Sequence, residues 1–314
     1  MSNPSANSPR RIGILGGTGF VGRALRERLL KDRHSVKVLT RDAAPHALTA
    51  AQPYIELAEG DPRDDGFLRE ALADCDVAIN LVGILNERGH DGSEFREVHT
   101  ELPRRFARIS RELGVQRVLH MSSLGADPAA PSHYLRSKGE GASALRLELG
   151  EALPWTIFCP SVIFGQDDSF TNRFAGLLKF MPGIFPLACP RARMAPVHVA
   201  DVAEAFARSV NDPATHFQRY EICGPRDYEL KTLVEYIGRT SGHSRLVLGL
   251  PDWMARLQAG VLEFVPGKPF SRDNYRSLQM DSVCSASQPG LSDLGITPTA
   301  LEDVAPGYLS GKTS

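Results

Sequence analysis

Two short segments combine residue types that could transfer a hydride and a proton. Residues 16–22 read Gly-Gly-Thr-Gly-Phe-Val-Gly and directly follow the apolar run 12–15. Glycines between a strand and a helix let the backbone approach a pyrophosphate, and the helix N-terminus offers free N–H groups to the anion. The second segment places Tyr134 four residues before Lys138, on the same face of a predicted helix. Together, the two segments predict nicotinamide dinucleotide chemistry.

The glycine-rich segment is the predicted phosphate cradle. Gly16 permits a tight turn, Gly19 lets the backbone approach the pyrophosphate, and Gly22 lets the helix pack closely. Glycines that merely turn the chain are the alternative, but a strand before them and a helix after them favour a binding site. The predicted cofactor contacts of this segment are Gly16, Thr18, Gly19, Phe20, Val21 and Gly22.

Tyr134 and Lys138 form the predicted proton-transfer pair. A free tyrosine has a pKa of about 10, which is too high for a base at neutral pH. The charge of Lys138 would stabilise the phenolate and so lower the pKa of Tyr134. Tyr134 is therefore the candidate acid or base, and Lys138 is the residue that tunes it. The alternative is a pair on a solvated helix face, where this spacing is common.

Arg41 lies where the predicted second strand ends. An acidic residue at this point would bind the 2'-hydroxyl of the adenosine ribose, whereas a guanidinium can pair with a 2'-phosphate. We therefore expect NADP(H) as the preferred cofactor. NAD(H) remains the alternative, because Asp42 follows and because Arg41 could instead pack over the adenine ring.

The hydrophobic pattern of the first half predicts an α/β fold, a doubly wound parallel sheet of the Rossmann type. Short β-branched runs alternate there with longer helical periods. The predicted strands are near 11–15, 35–40, 54–58, 75–81, 116–121 and 154–159. The predicted helices are near 19–31, 64–73, 94–113 and 133–149.

The domain organisation follows from a change of pattern near residue 160. We expect a disordered tail over 1–10, a dinucleotide-binding domain over 11–160, and a substrate lobe over 161–314 that is interleaved with the last sheet strands. In the lobe, prolines become frequent and the regular alternation of strands and helices ends. The remaining predicted elements are a strand end and helix over 197–210, a strand over 220–223, and helices near 229–240 and 251–264.

Composition excludes some classes of protein and partner. The 314 residues are 42% hydrophobic and 23% charged with a net charge of −1, so no bulk field would attract nucleic acid or anionic lipid, and partners must be argued from local sites. The five cysteines are widely spaced, which predicts reduced, mostly buried thiols and no metal site. The most apolar stretch, 175–190, holds Lys179 and several prolines and cannot form a transmembrane helix. We expect a cytoplasmic protein, with peripheral association at the inner membrane as an alternative.

Several landmarks together resemble a known family. They are the GxxGxxG spacing, Tyr-Leu-Arg-Ser-Lys at 134–138, Pro-Ser-Val-Ile-Phe-Gly at 160–165 and Pro-Val-His-Val-Ala-Asp-Val-Ala at 196–203. The sequence resembles atypical short-chain dehydrogenases/reductases related to the 39-kDa accessory subunit of respiratory complex I, within the broader NAD-dependent epimerase/dehydratase family. The resemblance extends over nearly the whole chain, from residue 11 to residue 298.

This resemblance implies further site residues. Ser123 would hydrogen-bond the substrate oxygen, and Lys138 would also hold the nicotinamide ribose. Asp61 would bind the adenine amino group, although it could equally cap the helix that begins near Asp64. The remaining predicted cofactor contacts lie at the ends of strands, at Val82, Gly83 and Pro160.

The sequence also departs from the pattern of this family. Cys159 replaces an arginine that usually precedes the Pro-Ser pair, and His99 stands where many members have asparagine. Only ten residues separate Ser123 from Tyr134, which leaves little room for a nucleotide-sugar loop.

Two groups of lobe residues allow either a functional or a structural interpretation. His198 and Asp201 could be catalytic, but bracing of the following helix by Asp201 is favoured. Five phenylalanines could line an apolar substrate pocket, but core packing is the default interpretation. They are Phe164, Phe170, Phe174, Phe180 and Phe185.

We therefore expect an NADP(H)-binding oxidoreductase acting on an apolar carbonyl or quinone-like substrate. The alternative from another class is a non-catalytic NADPH-binding accessory or assembly protein of a respiratory or quinone-biosynthesis complex. An epimerase or dehydratase is the third interpretation.

Overall fold

The first half of the chain alternates strands and helices as the sequence predicts. The computed structural model describes residues 8–46, 49 and 51–310. Every predicted strand and helix of this half is present, with ends within about three residues of the prediction. The elements are β1 (Arg11–Leu15), α1 (Phe20–Lys31), β2 (Ser35–Thr40), β3 (Ile55–Glu59), α2 (Asp65–Leu72), β4 (Val77–Asn80), α3 (Ser93–Arg96), α4 (Leu102–Glu112), β5 (Arg117–Met121), α5 (His133–Leu149) and β6 (Trp155–Pro160).

The second half forms one more strand of the main sheet and a smaller lobe. The predicted strand near 220–223 and the helices near 197–210, 229–240 and 251–264 are all confirmed. The elements are β7 (Ile163–Phe164), α6 (Thr171–Phe180), β8 (Ile184–Leu187), β9 (Arg193–Met194), β10 (Val197–His198), α7 (Val199–Ser209), β11 (Gln218–Ile222), β12 (Tyr228–Glu229), α8 (Leu230–Thr240), β13 (Leu246–Gly249), α9 (Asp252–Leu262), α10 (Arg272–Ser277) and α11 (Leu301–Leu309).

The main sheet has seven parallel strands in the order β11-β6-β5-β4-β1-β2-β3. This is the predicted doubly wound Rossmann arrangement. The chain runs outward from β1 through β2 to β3 and then returns to place β4 on the other side of β1. Folds of this type bind nucleotides at such a reversal, beyond the carboxyl ends of the strands.

Helices cover both faces of the sheet. On one face, Leu25 of α1 and Phe206 of α7 are fully buried, and on the other, Leu68, Phe106 and Leu145 of α2, α4 and α5 are equally buried. The strands between them are therefore apolar on both sides, which explains their nearly continuous hydrophobic sequence.

The arginine-rich face of α4 is neutralised by neighbouring acidic residues. Arg104 pairs with Glu101 at 2.6 Å, and Arg108 pairs with Glu112 at 3.0 Å. Arg108 also reaches Asp65 of α2 at 2.6 Å. These pairs leave no reason to assign an anion site to this face.

The lobe has a core of its own. Four of the five phenylalanines considered for a substrate pocket pack in this cluster, with Phe164 and Phe185 buried and Phe170 and Phe174 partly buried. Core packing is thus the correct interpretation for these four. Phe180 differs, because its side chain is 82% exposed.

Asp201 joins α7 to the C-terminal segment. Its carboxylate accepts hydrogen bonds from the backbone N–H of Thr299 at 2.7 Å and from its hydroxyl at 2.9 Å. Asp201 therefore braces α7, as expected, by binding Thr299, which is distant in sequence.

The N-terminal segment is ordered from before β1. The Arg10 guanidinium donates to Asn211 and Gln116, and residues 1–7 of the predicted tail lie outside the described residues. The division of the chain at residue 160 stays a prediction.

No helix within the described ranges is long and apolar enough to cross a membrane.

The prediction that all cysteines are reduced is wrong for two of them. Cys223, just after β11, forms a disulfide with Cys284, 61 residues later. The fold brings these segments together, since the Ser161 hydroxyl after β6 donates to the backbone carbonyl of Ser282 at 2.6 Å. Cys75, Cys159 and Cys189 are free. Wide spacing along the sequence concealed this pairing.

The Cys223–Cys284 disulfide should contribute to stability. Replacing both cysteines by serine should lower the free energy of unfolding by about 2 to 4 kcal/mol, because the unfolded chain loses a closed loop. Urea unfolding without reductant measures this difference, and Cys189→Ser is the matched control. If the double variant and the wild type unfold at the same urea concentration, the disulfide does not stabilise the fold.

Candidate nucleotide and proton-transfer site

The glycine-rich turn between β1 and α1 has the geometry of a phosphate cradle. Gly16 has a φ of +86°, a conformation that L side chains rarely adopt. The N–H of Gly19 donates to the carbonyl of Gly16 at 3.1 Å and closes the turn. A Cβ on Gly22 would lie 2.4 Å from the same carbonyl oxygen, so only glycine fits there. The turn therefore requires glycine at its first and third positions.

The other predicted residues of the cradle differ in exposure. Gly19 is exposed at the start of α1, and Thr18 and Phe20 are half-buried. Val21 is buried in the core, so only its backbone can face a ligand. The first N–H groups of a helix have no carbonyl partner within the helix, and they give this turn a partial positive charge.

Two arginines flank the position expected for the adenosine. Arg41 is exposed at the end of β2. Asp61, after β3, accepts from the Arg63 guanidinium at 2.6 Å, and this bond, helped by the charge of Arg41, lowers the pKa of Asp61 to about 2. Asp61 does not cap α2, because that carboxylate belongs to Asp64. The Asp61 carboxylate is therefore already partly occupied by its hydrogen bonds with Arg63.

The N-terminus of α5 is held from two sides. The Ser132 side chain accepts from the N–H of Leu135 at 3.1 Å and caps the helix. The carboxylate of Asp273, in α10, accepts from the N–H of His133 at 2.6 Å and of Tyr134 at 3.0 Å. The lobe thereby fixes the helix that carries Tyr134.

Lys138 places its ammonium between the ends of β4 and β5. The Nζ atom lies 3.4 Å from the carbonyl oxygen of Val82 and 3.3 Å from that of Met121. A Cβ on Gly83 would approach this nitrogen to 2.9 Å, so the glycine makes room for the ammonium. Lys138 is only 3% exposed, and burial lowers its pKa to about 8. Both contacts are long for an ammonium, which can donate three hydrogen bonds.

Tyr134 lies half-buried one helical turn before Lys138. Burial raises the pKa of its phenol, and the side chain of Ser123 acts in the opposite direction. Lowering of the Tyr134 pKa by Lys138, expected from the sequence, is not found in the protein without a ligand. The reason is that desolvation dominates and the Lys138 ammonium lies against main-chain carbonyls.

His99 fixes the loop after β4 to α5. Its Nε2 accepts from the N–H of Ile84 at 3.0 Å, so Nδ1 carries the proton of the neutral ring and faces the Ser137 hydroxyl at 3.0 Å. Ser137 in turn donates to the carbonyl of Tyr134 at 2.9 Å. Burial holds the pKa of His99 well below its ordinary value. Its ring meets that of Tyr134 edge-on at 5.4 Å.

A π-helical segment, Glu97–Glu101, carries His99 and interrupts the helix predicted over 94–113. The His99 carbonyl packs against α5 so closely that a Cβ on Gly141 would lie 1.7 Å from it. Gly139 meets the backbone of Asp127 in the same way. These contacts supply the close neighbours that two glycines inside a helix require.

Pro160 ends β6 beside the two serines, Ser122 and Ser123, that follow β5. Its carbonyl accepts from the N–H of Leu124 at 3.0 Å, next to Ser123. The neighbouring Cys159 is buried, and its sulfur accepts from the Arg219 guanidinium of β11 at 3.1 Å. A guanidinium is therefore present near Cys159, although not at the sequence position of the family arginine.

The structure adds site residues that the sequence analysis did not assign. Arg63, Ser137 and Asp273 received no role, and His99 was noted only as a departure from the family pattern. Arg63 follows Asp61 by two residues, and this short spacing could have predicted their ion pair. The contacts of Ser137 and Asp273 span 38 and 140 positions, and no local pattern predicts them.

Comparisons with known proteins agree with this geometry. Residues 16–213 match the family described as NAD(P)H-binding. The chain is 31% identical over 297 residues to the mitochondrial NADH dehydrogenase (ubiquinone) 1 alpha subcomplex subunit 9 of Mus musculus, covering 92% of this chain and 77% of that protein. It is 30% identical over 251 residues to the ceramide reductase of Caulobacter vibrioides, covering 80% and 76%.

A solved structure shares the whole fold. The NADPH-dependent quinone oxidoreductase QOR2 from Escherichia coli, complexed with NADPH, superposes with a TM-score of 0.75 over 95% of this chain and 99% of that chain, at 21% identity. The chain therefore belongs to the NAD(P)H-binding family and is similar over most of its length to the mitochondrial NADH dehydrogenase (ubiquinone) 1 alpha subcomplex subunit 9.

Proposed function

We propose that the protein is an NADP(H)-dependent reductase of an apolar carbonyl or quinone-like substrate. The observation that carries this proposal is the convergence of Ser123, Tyr134 and Lys138 at the carboxyl ends of β4 and β5, beside the glycine turn. A nucleotide lying across this edge would have its diphosphate at α1 and its nicotinamide near Tyr134.

Lys138 supports the fit of a nucleotide to this edge of the sheet. A buried ammonium with two long hydrogen bonds lacks acceptors, and the hydroxyls of a ribose would supply them. Val82 and Gly83 leave that side open at the end of β4. When bound, the reduced nicotinamide supplies the hydride.

Tyr134 is proposed as the general acid. A phenol with the ordinary pKa of about 10 is protonated at neutral pH, so Tyr134 carries the proton that reduction of a carbonyl requires. Tyr134 would donate its phenolic proton to the carbonyl oxygen as the carbonyl carbon is reduced, and solvent would then reprotonate the phenolate. Ser123 would orient the substrate oxygen by a hydrogen bond.

The preference for NADP(H) rests on the charges at the adenosine end. Arg41 and Arg63 present two guanidinium groups near Asp61, whose carboxylate is already bonded to Arg63. A 2'-phosphate would pair with the exposed Arg41.

An apolar substrate is supported by the loop after β4 and by the relatives. Ile84 is half-buried and Leu85 is exposed next to Gly83. The names of two similar proteins, a ceramide reductase and a quinone oxidoreductase, fit a substrate of this class. The rival proposal, an NADPH-binding accessory protein of a respiratory complex without turnover, is supported by the similarity to a complex I subunit.

The phenol of Tyr134 distinguishes the two proposals. Tyr134→Phe should lower the rate of NADPH oxidation with a short-chain quinone or an aldehyde by about a hundredfold to ten-thousandfold, because the general acid is lost. Absorbance of the reduced nicotinamide gives the rate. Tyr54→Phe, which removes an exposed phenol, should change little. NADPH that is bound but never oxidised by the wild type would support the accessory protein instead.

The affinity for NADPH should depend on the protonation of Lys138. Below its pKa of about 8 the ammonium can donate to the ribose, so affinity should be highest there and should fall as the pH rises through that value. Titration of nucleotide fluorescence at several pH values measures this profile. Lys138→Met should weaken binding about tenfold to a hundredfold at neutral pH and flatten the profile.

Lys31→Met, at the exposed end of α1, is the control for this variant and should keep the wild-type profile. A wild-type affinity that does not change over the same pH range would contradict the role of Lys138.

Arg41 should determine the choice between the two nucleotides. Arg41→Glu should weaken NADPH binding about tenfold to a hundredfold and leave NADH binding nearly unchanged, because only NADPH carries the 2'-phosphate. Calorimetry with each nucleotide measures the ratio. Arg239→Glu, the same change in α8, is the control. Equal affinities for both nucleotides before and after the change at Arg41 would refute the assignment.

A further inference from the structure

Helix α9 exposes an apolar stripe. Trp253, Leu257 and Val261 recur every four residues and are 66%, 61% and 59% exposed. Met254 extends the stripe, while Ala255 and Ala259 on another face of the helix are buried against the lobe. An amphipathic helix normally buries its larger apolar residues. Helix α9 does the opposite, since its small residues face inward and its large ones face outward.

The neighbouring strands β8 and β13 expose a second apolar group. Leu246 lies opposite Ile184 in this parallel pair, and both side chains point away from the core, as does that of Leu248. The alternate residue Val247 is buried. Helix α9 lies against β8, since the Gln258 amide donates to the carbonyl of Pro186 at 3.2 Å. We call the α9 stripe and these three strand residues together the lobe face.

Cationic residues are in excess in the segments that form the lobe face. Residues 169–200 contain four lysines and arginines and no acidic residue, and residues 241–280 contain five lysines and arginines and three acidic residues. Of these acidic residues, Glu263 and Asp273 are buried and Asp252 is exposed. The chain as a whole has a net charge of −1. Three of these nine cations are in ion pairs, namely Arg193 with Asp227, Arg256 with Asp252 and Arg272 with Glu263. The other six still leave a net positive charge in the part of the chain that exposes the apolar side chains.

We propose that the lobe face docks onto a lipid bilayer that contains anionic lipids. Exposed large apolar side chains with a tryptophan at the start of the helix fit the interfacial region of a bilayer, where an indole lies at the level of the head groups. The excess of lysines and arginines in these segments matches the negative surface of such a bilayer. A protein that bound this face instead would need acidic residues around an apolar patch. The experiment below distinguishes such a partner from a bilayer.

The position of the lobe face connects it to the proposed reductase site. After α9, the Lys268 ammonium donates to the carbonyls of Glu87 at 2.9 Å and Gly89 at 2.6 Å, in the loop that follows Gly83. Asp273 then holds the N-terminus of α5. The same loop also contacts the residue after α9, since His90 lies 3.2 Å from Glu263. Docking would therefore bring the loop that carries Ile84 and Leu85 near the bilayer, from which an apolar substrate could enter. This last step rests on the proposed function, whereas docking itself does not.

Sedimentation with vesicles tests the proposal. The wild type should bind vesicles of equal parts phosphatidylcholine and phosphatidylglycerol, and it should bind pure phosphatidylcholine vesicles much more weakly. The double variant Leu257→Gln, Val261→Gln should bind at least about tenfold more weakly, since two apolar side chains no longer enter the bilayer. Leu147→Gln, at a leucine on α5 that is 82% exposed, should bind like the wild type.

Tryptophan fluorescence reports the same event. The chain has two tryptophans, and Trp155 is buried in the core. A shift of the emission to shorter wavelength on adding anionic vesicles would therefore come from Trp253, and Trp253→Phe should abolish it. NADPH binding measured on each variant separates loss of docking from loss of the nucleotide site.

Three results would overturn the proposal. They are failure of the wild type to bind anionic vesicles, equal binding of both kinds of vesicle, and unchanged binding by the double variant. A different outcome would assign the lobe face to a second copy of the chain. In that case the wild type does not bind vesicles and is a dimer, whereas the double variant is a monomer.

Discussion

The burial of one ammonium group constrains the architecture of the site. Lys138 is enclosed between the ends of two central strands, and among the residues that the structure describes, two main-chain carbonyls are the hydrogen-bond acceptors of its nitrogen. Removing a charge from water is costly unless oxygen ligands replace the lost hydration. The structure around it accommodates this charge: Gly83 leaves space for the nitrogen, and the π-helical segment with Gly141 brings His99 against α5. A nucleotide that donates oxygen ligands would complete the shell.

The same burial determines the charge states of the neighbouring groups. His99 stays neutral because it is desolvated and lies near Lys138, and the pKa of His120 falls to about 3 for the same two reasons. Desolvation moves the pKa of Tyr134 further above neutral pH, where an ordinary phenol is already protonated. The site therefore combines one cation with neutral polar groups, an arrangement that suits the binding of ribose hydroxyls and the donation of a proton at neutral pH.

The local features of the fold could be read from the sequence, and the long-range ones could not. Apolar runs and helical periods fixed the strands and helices of the first half, and the glycine spacing located the turn after β1. The Cys223–Cys284 disulfide, the hold of Asp273 on α5 and the His99–Ser137 contact join segments far apart in sequence. The direction of the Tyr134 pKa shift was mispredicted for a related reason, because desolvation depends on packing that spacing does not reveal.

The pKa of Lys138 tests the account most directly. Nuclear magnetic resonance of protein labelled at the lysine side chains can follow its titration, with Lys138→Met to assign the signal. The account predicts a pKa near 8 in the nucleotide-free protein and a higher value once NADPH is bound, because oxygen ligands stabilise the charged form. An ordinary lysine pKa without nucleotide, or a pKa that NADPH leaves unchanged, would contradict it.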